Sequence, residues 1–139
     1  MIYVTGDTHG SHDVGKLHPR QWPEGQGLGR DDYLVILGDF GAIWDWGTDD
    51  HALLAWYEAQ AWTTLFVDGN HENFDLIDAF DVSEMFGGRV QVVPGYPHVI
   101  RLMRGEVYDL PVARGDAARG DAAPGETVRC FVMGGAPSI

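Results

Sequence analysis

At 139 residues the chain is one domain by length, with 45% hydrophobic residues to bury and no run approaching about 18 apolar residues, so neither a disordered chain nor a membrane-spanning helix is expected. The 21 acidic side chains against 9 basic ones give a formal charge of -12 with no clustered basic stripe, which argues against nucleic acid as a partner. The single cysteine, Cys130, excludes a disulfide within the chain, and the N-terminus MIYVTGD has neither a basic region nor an apolar signal core, so a reducing cytoplasm is the expected setting.

The first expected strand is Ile2–Thr5, and it runs into Gly6-Asp7-Thr8-His9-Gly10. Gly25-Gln26-Gly27-Leu28-Gly29 follows Trp22-Pro23-Glu24 rather than a strand and lacks the spacing of a dinucleotide fingerprint, so it reads as a turn. A second strand, Tyr33–Leu37, runs into Gly38-Asp39-Phe40-Gly41. Residues 51–62 carry Leu53, Trp56, Tyr57 and Ala61 at helical spacing behind Asp49-Asp50, which predicts a capped crossover helix. The strand over 64–67 then runs through Asp68 into Gly69-Asn70-His71-Glu72, and Asn73 could cap a shorter helix over 74–80 with Leu76, Ile77 and Phe80 facing inward.

Beyond this point the order changes. Strands are expected over 90–93, 98–103 and 106–110, the last two joined through Arg104-Gly105 as a hairpin beside the parallel sheet. Ala113-Arg114-Gly115-Asp116-Ala117 is repeated at once over 118–122, a duplication in a small-residue loop over 113–126 that is expected to be mobile and explains the two Arg-Gly-Asp triplets without adhesion. A final strand is expected over 127–133, before Gly134-Gly135.

The first three strands lack period-two alternation, as parallel strands covered on both faces do. In open α/β sheets ligands bind outside the carboxyl ends of the strands, so three polar ends side by side would make one pocket. Asp and His two residues apart, with a second Asp and an Asn from neighbouring strands, offer oxygen and nitrogen donors without a thiolate, which suits Mn²⁺, Fe²⁺ or Zn²⁺. A carboxylate can bridge two ions, and two ions about 3.5 to 4 Å apart can hold a shared water, lower its pKa toward about 7 and stabilise in-line attack on phosphorus. Such ions would also relieve the repulsion between this acidic chain and an anionic substrate. His12, His18, His51 and His98 read as surface or core histidines and Cys130 as a core residue, while Arg101 and Arg104 read equally as phosphate contacts or as solvated hairpin residues.

At these blocks the sequence resembles the calcineurin-like metallophosphoesterases. Gly6-Asp7-Thr8-His9-Gly10 is similar to the family's Asp-x-His block, Gly38-Asp39-Phe40-Gly41 to its Gly-Asp-x-x-Gly block, and Gly69-Asn70-His71-Glu72 to its Gly-Asn-His-Asp/Glu block. The resemblance implies an α/β fold with a sheet sandwich flanked by helices, one domain over 1–139, and hydrolysis of a phosphate mono- or diester with two divalent ions, Mn²⁺ first. It implies Asp7 and His9 on one metal, Asp39 bridging, Asn70 on the second metal, His71 as the catalytic histidine and Glu72 orienting His71.

Gly134-Gly135-Ala136 is similar to the strand preceding the family's distal half, where members continue with a further His ligand and a Gly-His-x-His block; no Gly-His-x-His occurs in the 139 residues. The expectation is therefore a domain truncated at its C-terminus. Its sheet and site would be incomplete, and the chain would self-associate or take a partner chain. The alternative reading is an inactive remnant or interaction module that keeps the fold.

Overall fold

Four consecutive residues of β2 (Tyr33–Leu37), Tyr33 to Ile36, are buried, as are all of β3 (Thr63–Val67). Successive side chains of a strand point to opposite faces, so both faces of these strands are covered. Leu34, Ile36 and Phe66 enter one core with Phe40, Ile43, Leu54, Tyr57 and Trp62. Tyr33, Val35, Leu65 and Val67 enter a second with Ile100, Leu102, Tyr108 and Leu110. These relations come from a computed structural model that describes residues 1–112 and 126–134. The Arg-Gly-Asp repeat and residues 113–125 of the loop expected over 113–126 lie outside the described residues, as do Gly135 and Ala136, while Glu126 belongs to a strand.

With β1 (Ile2–Thr5), β4 (Val82–Met85), β5 (Gly88–Val93) and β6 (Tyr96–Leu102), β2 and β3 form a six-stranded sheet in the order β1-β2-β3-β6-β5-β4. β1, β2, β3 and β6 run parallel; β5 and β4 continue antiparallel. β7 (Val107–Val112) and β8 (Glu126–Phe131) form a separate antiparallel pair. Tyr108 and Leu110 of β7 lie in the core opposite to that filled by α1 (Thr48–Glu58), so the layers are helix and loops, large sheet, small sheet.

The helix over 51–62 was expected three residues too late at its start and four too late at its end. Asp50 lies inside the first turn, because its Oδ2 accepts the backbone N–H groups of Trp44, Asp45 and Trp46 at 2.7, 2.9 and 2.8 Å and folds the preceding loop back on the helix. At the other end Arg30 takes the carbonyls of Glu58 and Trp62, which turns the chain into β3. The second helix, α2 (Phe74–Ile77), is capped by Asn73 as expected but stops sooner.

The hairpin expected through Arg104-Gly105 does not form. Both edges of β6 are occupied, by β3 and β5, so the chain crosses at that turn to the other sheet. The hairpins are instead β5–β6, through Pro94-Gly95, and β4–β5, where Phe86 and Gly87 both take positive φ (58° and 83°) as a two-residue primed turn requires. β4, whose residues are mostly exposed, has no apolar run to mark it in the sequence. Among the described residues no helix is long and apolar enough to cross a membrane.

Candidate metal centre

The parallel strands end level, Thr5 beside Ile36 and Leu37 beside Val67, so the three glycine-bounded loops meet at one edge of the sheet. Backbone bonds stitch the first loop to the second. The N–H groups of Thr8 and His9 donate to the Asp39 carbonyl at 3.2 and 2.8 Å, and that of Gly10 to the Phe40 carbonyl at 2.9 Å. The approach is so close that a Cβ on Gly10 would stand 2.7 Å from the Gly41 carbonyl oxygen, and one on Gly41 2.7 Å from the Gly10 nitrogen, which explains the glycines closing the first two blocks. Lys16 secures the first loop from the other side, donating to the carbonyls of Gly6 and Asp7 at 3.2 and 2.5 Å.

Asp39 binds the third loop as well. The His71 N–H donates to Asp39 Oδ1 at 2.9 Å, and a Cβ on Gly69 would fall 1.9 Å from that same oxygen. The Glu72 carboxylate accepts from the N–H groups of Phe40 (2.7 Å), Gly41 (3.1 Å) and Gly69 (3.4 Å). Glu72 thus ties the third loop, which carries His71, to the second through backbone N–H groups. Burial pushes the Glu72 carboxyl above the usual range; the three N–H donors pull it back in part, and Asp39 adds to the rise.

Within this frame the side chains converge on one oxygen. His9 Nε2 lies 3.6 Å from Asp7 Oδ2 and 3.6 Å from Asp39 Oδ2, and His71 Nδ1 lies 3.7 Å from the same Asp39 oxygen. Ligand atoms of His9, Asp39 and His71 all stand within 4.8 Å of one another. Two donors each about 2.1 Å from one ion stand roughly 3 to 4 Å apart, so spacing and donor chemistry both fit a divalent cation. Asn70 is exposed and, with Asp7 and Asp39, lines one end of a groove of about 480 Å³ whose other walls are mainly apolar. His9 and Asp39 both adopt left-handed backbone (φ 45° and 40°), a conformation that the sequence gives no sign of.

The remaining histidines are occupied elsewhere or stand apart. His51 Nδ1 meets the Tyr96 hydroxyl at 2.8 Å, His98 pairs with Glu58, His18 stacks on Trp56, and His12 is exposed outside the donor group. Two features went unread. Lys16 lacks any local pattern to distinguish it from a surface lysine. Asp68 follows an apolar strand, yet its side chain is fully buried and ion-paired with both Arg101 and Arg104.

No curated protein and no solved structure matches the chain. The family model for calcineurin-like phosphoesterase matches residues 1–129. A match of that extent, running through all three loops that gather around Asp39, makes the chain a member of the calcineurin-like phosphoesterase family.

Proposed function

We propose that the chain is a metal-dependent phosphoesterase that hydrolyses a phosphate mono- or diester with two divalent ions, Mn²⁺ first among them. Members of the family generally use two divalent metals. The observation that carries the reading is the convergence of Asp7 Oδ2 and Asp39 Oδ2 on His9 Nε2, each 3.6 Å from it. Asp7 and His9 would hold one ion, Asp39 would span the pair, and Asn70 would serve the second. Bound there, the ions would supply a water acidic enough to attack phosphorus near neutral pH.

The rest of the work falls to the chain's own groups. With Nδ1 of His71 turned toward Asp39, Nε2 is the nitrogen left to face a substrate. It would stabilise charge on the phosphoryl oxygens or pass a proton to the leaving group. Glu72 and the N–H bond from His71 to Asp39 hold that ring's backbone in place, which limits the reorganisation needed when substrate arrives. A reducing cytoplasm is the proposed setting, on the strength of one unpaired cysteine.

The test is a Mn²⁺ titration followed by calorimetry, with hydrolysis of p-nitrophenyl phosphate and bis-p-nitrophenyl phosphate in parallel. Turnover of either ester should vanish on chelation and return with Mn²⁺. A second reading is favoured by the groove, since Val4, Leu37, Val128 and Phe131 are exposed along it and, among the described residues, β8 pairs only with β7. On that reading the domain is a non-catalytic module, and a second copy or another chain covers the groove and the free edge. Metal binding without turnover, together with association in sedimentation, would select it.

A further inference from the structure

Asp68 stands between β3 and Gly69, and its side chain is 0% exposed. A carboxylate so buried is tolerated only when its charge and lone pairs are met. Oδ1 accepts from Nε of Arg101 at 2.9 Å, and Oδ2 accepts from Nε of Arg104. The two arginines differ in what else they do. Arg101, 7% exposed, gives Nη1 to Asp78 (2.6 Å) and Gln91 (2.7 Å), both away from the candidate metal centre.

Arg104 reaches toward that centre instead. Its Nη2 donates to the carbonyl of Gly69 at 2.9 Å, and its guanidinium stands 5.6 Å over the Phe74 ring. Gly134, just beyond β8, packs so closely that a Cβ there would come within 2.4 Å of Cζ. One guanidinium therefore joins the end of β3, the crossing turn between the sheets and the end of β8. The next two residues after Gly69 are Asn70 and His71.

We propose that Arg104 is a positioning residue for the Asn70-His71 loop. Gly69 must lack a side chain because Asp39 Oδ1 occupies that space, and a glycine leaves the loop's backbone loose at its entrance. The planar fork of Arg104 restores the lost definition by gripping two successive residues, the Asp68 carboxylate and the Gly69 carbonyl. Where Asn70 and His71 stand relative to Asp39 is then set from the turn that crosses between the two sheets. That this loop handles metal and phosphate rests on the proposed function, whereas the clamp rests on geometry alone.

The experiment uses the 139-residue chain with Arg104→Lys and Gly134→Ala. Lysine keeps the charge facing Asp68 but cannot grip both groups, and the added methyl at 134 displaces the guanidinium without removing it. Arg104→Lys should keep a melting temperature close to that of the unmodified chain, and Gly134→Ala, which shifts the guanidinium against a buried carboxylate, should lower it only modestly. In the metal-free proteins, amide hydrogen exchange over residues 69–72 should rise about tenfold while exchange in β3 stays unchanged, and Mn²⁺ affinity should fall about tenfold, the range for a partner one shell out. Exchange over 69–72 unchanged in both variants would overturn the proposal. So would a rise spread over the whole chain with a matching fall in melting temperature, which would make Arg104 a stability residue only. If the unmodified chain binds no Mn²⁺, the metal-centre reading fails, and the exchange result still decides the role of Arg104.

Discussion

The carboxylate of Asp39 meets His71 twice, accepting the backbone N–H at 2.9 Å through Oδ1 and facing the ring's Nδ1 at 3.7 Å through Oδ2. One oxygen thus sets the loop while the other is left toward the donors. Asp39→Asn should weaken Mn²⁺ binding at both sites, by more than the roughly 10-fold to 100-fold seen for an outer partner, because it removes shared charge at the centre. Asn70→Ala should affect mainly one site. Calorimetry of the two variants separates these outcomes, and unaltered binding by Asp39→Asn would rule out a bridging role.

The exposed ring of His71 is expected to act on the substrate more than on the metal. In any form of the protein that turns over p-nitrophenyl phosphate, His71→Ala should lower kcat by about 10² to 10⁴ and leave bound Mn²⁺ unchanged. Loss of metal along with activity would instead make His71 a ligand, through the Nδ1 that already faces Asp39.

Glu72 is a structural counterpart to these groups. Its truncation to alanine would leave the N–H groups of Phe40, Gly41 and Gly69 without their acceptor inside a closed loop junction. Glu72→Ala should cost about 2 to 4 kcal/mol in urea unfolding of the metal-free chain, and Glu72→Gln, which keeps one acceptor oxygen, roughly half of that. An alanine variant as stable as the unmodified chain would show that water replaces the carboxylate at no cost.

Much of this was legible beforehand, for identifiable reasons. The parallel strands showed because Tyr33 to Ile36 are apolar on both faces, and the polar residues that meet around Asp39 showed because they lie within four residues of a strand end. The crossing at Arg104 did not, since a glycine turn between two apolar runs looks the same whether the strands pair or part. What decides it is that β6 already has two neighbours, a fact about strands far away in the chain. The role of Glu72 was hidden for a similar reason: two of its three partners lie 31 and 32 residues earlier, and all are backbone groups, which carry no residue identity to read.

Cys130 offers a prediction tied to pH. Burial pushes its thiol up, with Asp109 adding to the effect, and its Sγ faces the Tyr108 carbonyl. A raised thiol holds less thiolate at any given pH, so alkylation by iodoacetamide at pH 7.5 should be slower than for a free cysteine peptide and should climb only as the solution becomes more alkaline than that peptide requires. Mass spectrometry of the time course checks this, and a rate equal to the peptide's would mean that the thiol is not held as described.

The left-handed backbone at His9 and Asp39 has a consequence for anyone who sets out to make this protein sturdier. Each position costs on the order of 1 kcal/mol that glycine would not, so glycine at His9 is expected to be stabilising, whereas at Asp39 the gain is offset by loss of the acceptor for the His71 N–H. A selection that scored survival to heat alone would therefore tend to discard the His9 side chain, one of those on which the candidate metal centre depends.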